Sequence, residues 1–362
     1  MRLSSLRPAA LALAAVGVLA LTLASPAAAE TRLKMVLNWK YQGPQGWFLL
    51  AEDRGYYKAE GLDMVIDQGD GSAAAVPKVA SGAYDVGFGD INAVIEFAAK
   101  NPAEAPIGVY MLYNRPPFTI AVKADSPIKT PKDLEGHKLA STVTSGDYPL
   151  LQAYAAKAGF DLSKVDRLQT EPNVRNRLLS ERQVDAISGF AVSIMPIYAA
   201  TGVKAHFMLY SAVGLVNYGY VLLATPQRVT AEPQLCAAFV DGMLEGLKAT
   251  MLDPGEAMKL FFKQVPEMAL AEQAREQIRV GTGIMVYVAA DPVVETNGLG
   301  WIEPKAYQAQ TDLVMQYLAK PGDKRPTMDE LMTNRFVGSV KFSADEFAAA
   351  QKNSEEFRAY VT

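Results

Sequence analysis

Between residues 32 and 113 the chain repeats one unit, a short apolar run followed by a helical stretch, and the same alternation returns between 137 and 210. No other feature constrains the fold as much. In the first set "RLKMVLNW" (32–39), "LDMVID" (62–67), "YDVGFG" (84–89) and "PIGVYMLY" (106–113) read as strands. Between them "GWFLLAEDRGYY" (46–57), "SAAAVPKVASG" (72–82) and "INAVIEFAAKN" (91–101) read as helices. Such alternation predicts an α/β fold, with a mostly parallel sheet covered by helices on both faces. The second set offers strands at 137–141, 165–169, 185–190 and 205–210, and helices in 147–158, 173–181 and near 193–200. Two further strands, "FTIAVKADSP" (118–127) and "NYGYVLLATP" (217–226), connect the sets. Two crossings between two lobes make a two-strand hinge. After them the chain reads as helix at 231–251, 254–263, 269–281, 304–319 and 343–359. The expected division is 30–117 plus 226–362 for the first lobe and its helical tail, and 118–225 for the hinge strands and second lobe.

Residues 1–29 stand apart from this pattern. Arg2 and Arg7 precede an uncharged apolar stretch, Leu11 to Ala24, and Ala27-Ala28-Ala29 follows. That order predicts a secretory signal peptide, cut after Ala29, and delivery to the periplasm. The apolar stretch is shorter than the roughly 20 residues a membrane span needs. The formal charge of the 362-residue chain is −4, and loss of the two leader arginines makes the mature chain more acidic. An acidic chain has no electrostatic reason to bind nucleic acid or an anionic membrane. Cys236, the single cysteine, rules out an internal disulfide and reads as a small buried hydrophobe. Residues 186–203 and 207–225 carry no charge, but Gly189, Pro196, Gly214, Asn217 and Gly219 interrupt them. They are expected to be core strands and helices rather than membrane spans.

Ligands of open α/β sheets bind beyond the carboxyl ends of the strands, where helix N-termini point. Two facing lobes put two such rims on one cleft, and a two-strand hinge lets the cleft close by rotation. Asp90, at the junction of "VGFG" with the following helix, falls on this rim. It reads either as a helix N-cap or as an acceptor for a ligand N–H or O–H. One oxygen can cap while the other faces the cleft.

Three segments, "AEDRGYYKAEGLDM" (51–64), "SGAYDVGFGD" (81–90) and "SPIKTPKDLEGHKLA" (126–140), resemble the NMT1/THI5-like group of periplasmic solute-binding proteins, also called SsuA/THI5-like. The resemblance covers most of 32–260. It implies a type II periplasmic-binding-protein fold and a monomeric, non-enzymatic protein. Its partners would be a small organic ligand and the permease of an ABC importer, with no cofactor and no metal. Carried over by position, it makes Trp39 and Tyr41 candidate stacking surfaces, and Ser72 the end of a loop-to-helix turn, "GDGS" (69–72), that lends backbone N–H groups to a ligand. Asp90 matches the rim position. In the second lobe Ser145, Gly146 and Asp147 open a helix in the corresponding way, and Phe190 is a candidate aromatic wall. Asn217 and Tyr218 sit where the return crossing meets the cleft. Packing under the loop remains the alternative for Trp39, and simple packing or capping for the others.

The proposed rim shows acids and no obvious arginine or lysine, so a bound nitrate or sulfonate is disfavoured. Four aromatics with a carboxylate suit a flat heterocycle bearing N–H groups, such as a thiamine-pyrimidine precursor. A sulfonate- or nitrate-type anion binder is the alternative, as is an enzyme resembling the family's pyrimidine-precursor synthases. Those enzymes carry a cysteine- and histidine-rich motif, which a chain with one cysteine and the isolated His137 and His206 lacks. A secreted sensor domain would use the same cleft.

Overall fold

The computed structural model describes residues 30–215, 218–270 and 272–361. The leader expected at 1–29 and the site candidate Asn217 lie outside them. The described residues form ten strands: β1 (Thr31–Val36), β2 (Leu62–Asp67), β3 (Val86–Asp90), β4 (Ile107–Met111), β5 (Phe118–Lys123), β6 (Lys138–Ser141), β7 (Asp166–Gln169), β8 (Ala186–Phe190), β9 (Ala205–Leu209) and β10 (Tyr220–Ala224). They form two sheets of five, ordered β2-β1-β3-β10-β4 and β7-β6-β8-β5-β9. β1 is parallel to β2 and β3, and β6 is parallel to β7 and β8.

The connecting strands are more than tethers. β5 lies antiparallel between β8 and β9, and β10 lies antiparallel between β3 and β4. Each lobe thus inserts the strand that has just crossed the hinge next to its own third strand. β10, which the sequence groups with the hinge, is a full member of the first sheet. The two sheets share one topology although no sequence repeat is visible. The correspondence reaches single residues. Asp85 takes the backbone N–H of Lys34 at 2.8 Å, and Asp185 takes that of Lys138 at 2.8 Å.

Buried aromatic rings carry the core across the hinge. Tyr113, on the first crossing, lies 5.2 Å from Phe190 of the second lobe and 5.6 Å from Tyr220 of the first, centroid to centroid. Edge-to-face contacts of this kind are favourable beyond the area they bury.

The helical tail holds both lobes. The sequence ends a helix at 281; the structure continues it as Glu272–Ala289. Gly281 and Gly283 do not break it, because the bare backbone is where its neighbours come close. A Cβ on Gly281 would lie 3.0 Å from Pro44 of the first lobe and 3.5 Å from Pro196 of the second. On another side, helix Pro304–Tyr317 packs on helix Ile91–Lys100 and reaches helix Leu151–Ala158. Cys236 is buried, which pushes its thiol up to about 11. Among the described residues no helix is long and apolar enough to cross a membrane.

Candidate functional site

The lobes meet where the rim loops face each other. Gly71, with φ 139°, ends the turn before helix Ser72–Ala80 and lies against Thr144. The Ala73 N–H donates to Thr144 O at 3.0 Å, and Thr144 Oγ1 donates to Asp70 O at 2.6 Å. Gly146 approaches so closely that a Cβ there would lie 2.6 Å from Asp90 Oδ2 and 3.0 Å from Ser72 Oγ. Ser72, Asp90, Gly146 and, next to it, Asp147 therefore converge from opposite lobes, and the cleft is shut.

Asp90 combines both of its expected positions. Oδ1 accepts from the Asn92 N–H and from Asn92 Nδ2, each at 3.0 Å, and so caps the helix. Oδ2 is buried without a partner and faces Gly146. Ser72 is not the cap the sequence offers as an alternative. Gly71 holds that position, and the Ser72 hydroxyl is buried without a partner. Asp147 departs from expectation as well. Pro149 delays the helix behind a 3₁₀ turn, Tyr148–Leu150, and the helix proper starts at Leu151. The Asp147 side chain caps nothing. Its Oδ1 accepts from the Ser145 hydroxyl, and its Oδ2 is buried without a partner.

A basic group stands in this cluster, which corrects the expectation of a rim without one. Arg175 is only 1% exposed and has an unpartnered Nη1. Its guanidinium lies 5.7 Å from the Trp39 ring centre and closes on Gly189, where a Cβ would come within 2.6 Å. The signal was present: position 175 falls four residues before Leu179, on the buried stripe of helix Pro172–Ser180. Tyr220 was missed too. It joins Phe190 (5.0 Å between centroids) beneath the carboxylates.

The remaining candidates separate. Trp39 and Tyr41 line an inter-lobe cavity of about 520 Å³, faced by Pro172, Asn176 and Ile197 of the second lobe. The Tyr41 hydroxyl is tied to Ile66 O at 3.0 Å. Phe190, at the end of β8, is the positional counterpart of Asp90 at the end of β3. Tyr218 is not brought to the cluster. Its hydroxyl pairs with the backbone of Glu303, and it lines a separate cavity of about 990 Å³ beside Asn114, Tyr287 and Asp291.

Burial dominates the electrostatics. Desolvation raises the Asp90 carboxyl to about 8, the charge of Asp147 adds to it, and hydrogen bonds from Asn92 and Ala93 oppose it. Asp147 is also raised by burial, against the pull of Arg175. Burial lowers Arg175, against the pull of Asp147. An unfolded aspartate titrates near ~4, so between that pH and about 8 the folded chain holds one proton more at Asp90. The stability this proton brings is complete below ~4 and is lost as pH rises through the folded value. Asp90→Asn is expected to remove that decline, which for one group is at most ~1.4 kcal/mol per pH unit. Urea denaturation of both proteins at pH 5, 6.5 and 8 checks it, and parallel pH profiles would refute it. Among the described residues no group of three or more His, Cys, Asp or Glu is placed to hold a metal ion.

Comparison with known proteins fits this geometry. The model of the family described as NMT1/THI5 like matches residues 46–257. The riboflavin-binding protein RibY of Chloroflexus aurantiacus is 26% identical over 299 residues, which cover 80% of this chain and 81% of that protein. The alkanesulfonate-binding protein SsuA of Xanthomonas axonopodis pv. citri, solved bound to MOPS, superposes with a TM-score of 0.61 at 18% identity, over 83% of this chain and 98% of that one. The ligand-binding component of an ABC-type import system from Staphylococcus aureus reaches 0.63 at 13% identity, over 86% and 100% of the two chains. These likenesses identify the periplasmic-binding-protein fold.

Proposed function

The chain belongs to the NMT1/THI5-like family and has the two-lobed build of a small-ligand-binding protein; on that premise we propose that it captures a flat, uncharged heterocycle outside the cytoplasm and hands it to an ABC permease. One observation carries the choice of ligand. Trp39, which with Tyr41 walls the cavity, lies 5.7 Å from the Arg175 guanidinium, and Arg175, Ser72, Asp90 and Asp147 each keep a buried polar atom without a partner. The cavity volume, about 520 Å³, suits a small molecule. The rings offer stacking faces, and the cluster offers donors and acceptors for the edge of a heterocycle. A pyrimidine of the thiamine-precursor type has such an edge, and so does the isoalloxazine of riboflavin, the compound in the name of the RibY relative.

An anion, as the SsuA name would suggest, has Arg175 in its favour. Against it stands Asp147, whose carboxyl lies beside that arginine and, when ionised, offsets its charge. A carboxylate within ~4–6 Å of a bound anion opposes it. An uncharged solute meets no such opposition. Export of the chain with cleavage after Ala29, and function as a monomer whose lobes rotate about the crossings between β4 and β5 and between β9 and β10, complete the proposal.

Calorimetric titration with riboflavin, a 4-aminopyrimidine, an alkanesulfonate and nitrate tests the ligand class. Saturable binding of either heterocycle supports it, and binding of an anion alone would overturn it. Trp39→Leu is expected to weaken heterocycle binding by ~1 kcal/mol through the lost ring contact. Unchanged affinity in that variant would remove Trp39 from the site.

A further inference from the structure

Behind Asp90 runs a buried chain of hydrogen bonds that ends at the hinge. Asn92 is fully buried and Gln310, on tail helix Pro304–Tyr317, is 2% exposed. Asn92 Nδ2 donates to Asp90 Oδ1 at 3.0 Å, Gln310 Nε2 donates to Asn92 Oδ1, and the Tyr218 backbone N–H donates to Gln310 Oε1 at 2.9 Å. The next residue, Gly219, takes the Ile91 N–H at 3.1 Å. The direction of the chain is set at its far end. A backbone N–H can only donate, so the Gln310 atom facing Tyr218 must be the oxygen. The Gln310 amide nitrogen then faces Asn92, whose oxygen must receive it, and the Asn92 nitrogen is left to face the carboxyl. Both amide atoms of Asn92 and of Gln310 are partnered, as a buried polar network requires.

The consequence falls on Asp90. Oδ1 already accepts two N–H groups, from the backbone and the side chain of Asn92. A proton on that oxygen would meet both donors head-on. We infer that Gln310 is a positioning residue of the solute site: acting through Asn92, it commits Asp90 Oδ1 to accepting and leaves Oδ2 as an O–H donor aimed across the cleft, so the site selects solutes that present an acceptor atom there, such as a carbonyl oxygen or an unprotonated ring nitrogen. This rests on the proposed capture of a heterocycle and reverses the role the sequence suggests for Asp90, that of an acceptor for a ligand N–H. Asp147, from the opposite lobe, and Tyr220, on the neighbouring strand, are the titratable groups that act with Asp90, and Arg175 acts on both. None of them contacts Oδ1, whose polarity is set by the Asn92 backbone N–H of the cap together with the Asn92 amide that the tail helix orients.

Two variants test the inference, one of them with a built-in rescue. Gln310→Met removes donor and acceptor at similar size. Gln310→Glu keeps both while its carboxyl is protonated and loses the donor when it ionises. The first readout needs no solute: the Asp90 carboxyl resonance in protein labelled with ¹³C-aspartate, assigned by its loss in Asp90→Asn. Without the relayed donor the carboxylate is less favoured, so Gln310→Met is expected to move the Asp90 midpoint upward by about half a pH unit or more. The second readout is riboflavin titration. In Gln310→Glu, affinity is expected to match the wild type at pH 5 and to fall about tenfold below it at pH 8, whereas in Gln310→Met it is weak at both. An Asp90 midpoint unmoved in both variants would overturn the inference. Failure of the wild-type protein to bind riboflavin or a 4-aminopyrimidine, with the midpoint moved as expected, would instead overturn the ligand class and leave the role of Gln310 in place.

Discussion

Replacing Gly146 by valine is expected to weaken capture of riboflavin by up to ~150-fold while both lobes stay folded. The backbone at 146 lies outside the left-handed region, so a side chain there is not strained by its own φ. The obstacle lies across the cleft. A Cβ would sit 2.6 Å from Asp90 Oδ2, 2.8 Å from the Asp90 carboxyl carbon and 3.0 Å from Ser72 Oγ, and the two methyl groups would crowd the same space. All of these atoms belong to the other lobe, so the penalty falls on the closed form alone. Overpacking of a tight contact costs about 1–3 kcal/mol for a few atoms, and the upper end of that range is a factor of about 150 in affinity. The measurement pairs calorimetry with solution scattering. The variant should keep native circular dichroism and show a larger radius of gyration than the wild type with solute. Unimpaired binding by Gly146→Val would mean that the lobes do not close through this contact.

The second large effect is expected at Arg175. Arg175→Met keeps an unbranched stem and deletes the guanidinium together with its contact to the Trp39 ring. A hydrogen bond to a charged group contributes about 1.5–3 kcal/mol, so a solute held by Nη1 should lose between about tenfold and about 150-fold in affinity. The fold should lose less. Removing a buried charge recovers its desolvation cost, and the deserted Asp147, already raised by burial, can take up a proton. Arg175→Lys should not restore binding, because an ammonium lacks the planar fork that reaches past Gly189. Titration and urea denaturation of the same variants separate the two effects. A fold that collapses while the residual folded fraction binds normally would make Arg175 a structural residue only.

Much of the fold was readable in the chain, because its cause is local. Strands such as "LDMVID" and helices such as "INAVIEFAAKN" show their periodicity within a few residues, and β2 and helix Ile91–Lys100 formed where that pattern placed them. Asp90 was readable for the same reason: its place between strand and helix is a matter of adjacent residues. Misreadings arose where the deciding contact is distant in sequence. Gly281 and Gly283 look like helix breakers until Pro44, Pro196 and Phe357 are seen pressed against them. The arginine in "PNVRNRLLS" looks like a surface charge until helix Pro172–Ser180 turns it under Trp39. Tyr218 and Tyr220 are two residues apart on one crossing, and only packing sends one to the tail helices and the other beneath the carboxylates.

By itself, then, the sequence determined a pair of α/β lobes, a double crossing between them and an acid at the lip of the first sheet. Hydrophobic periodicity and strand–helix junctions are properties of neighbouring residues, and they survive without a partner. Tertiary structure alone decided which rim atoms meet, that an arginine enters the cleft, and that a glutamine far along the chain orients Asp90. Burial and hydrogen-bond direction depend on groups hundreds of residues apart, and only the folded chain brings those groups within reach of one another.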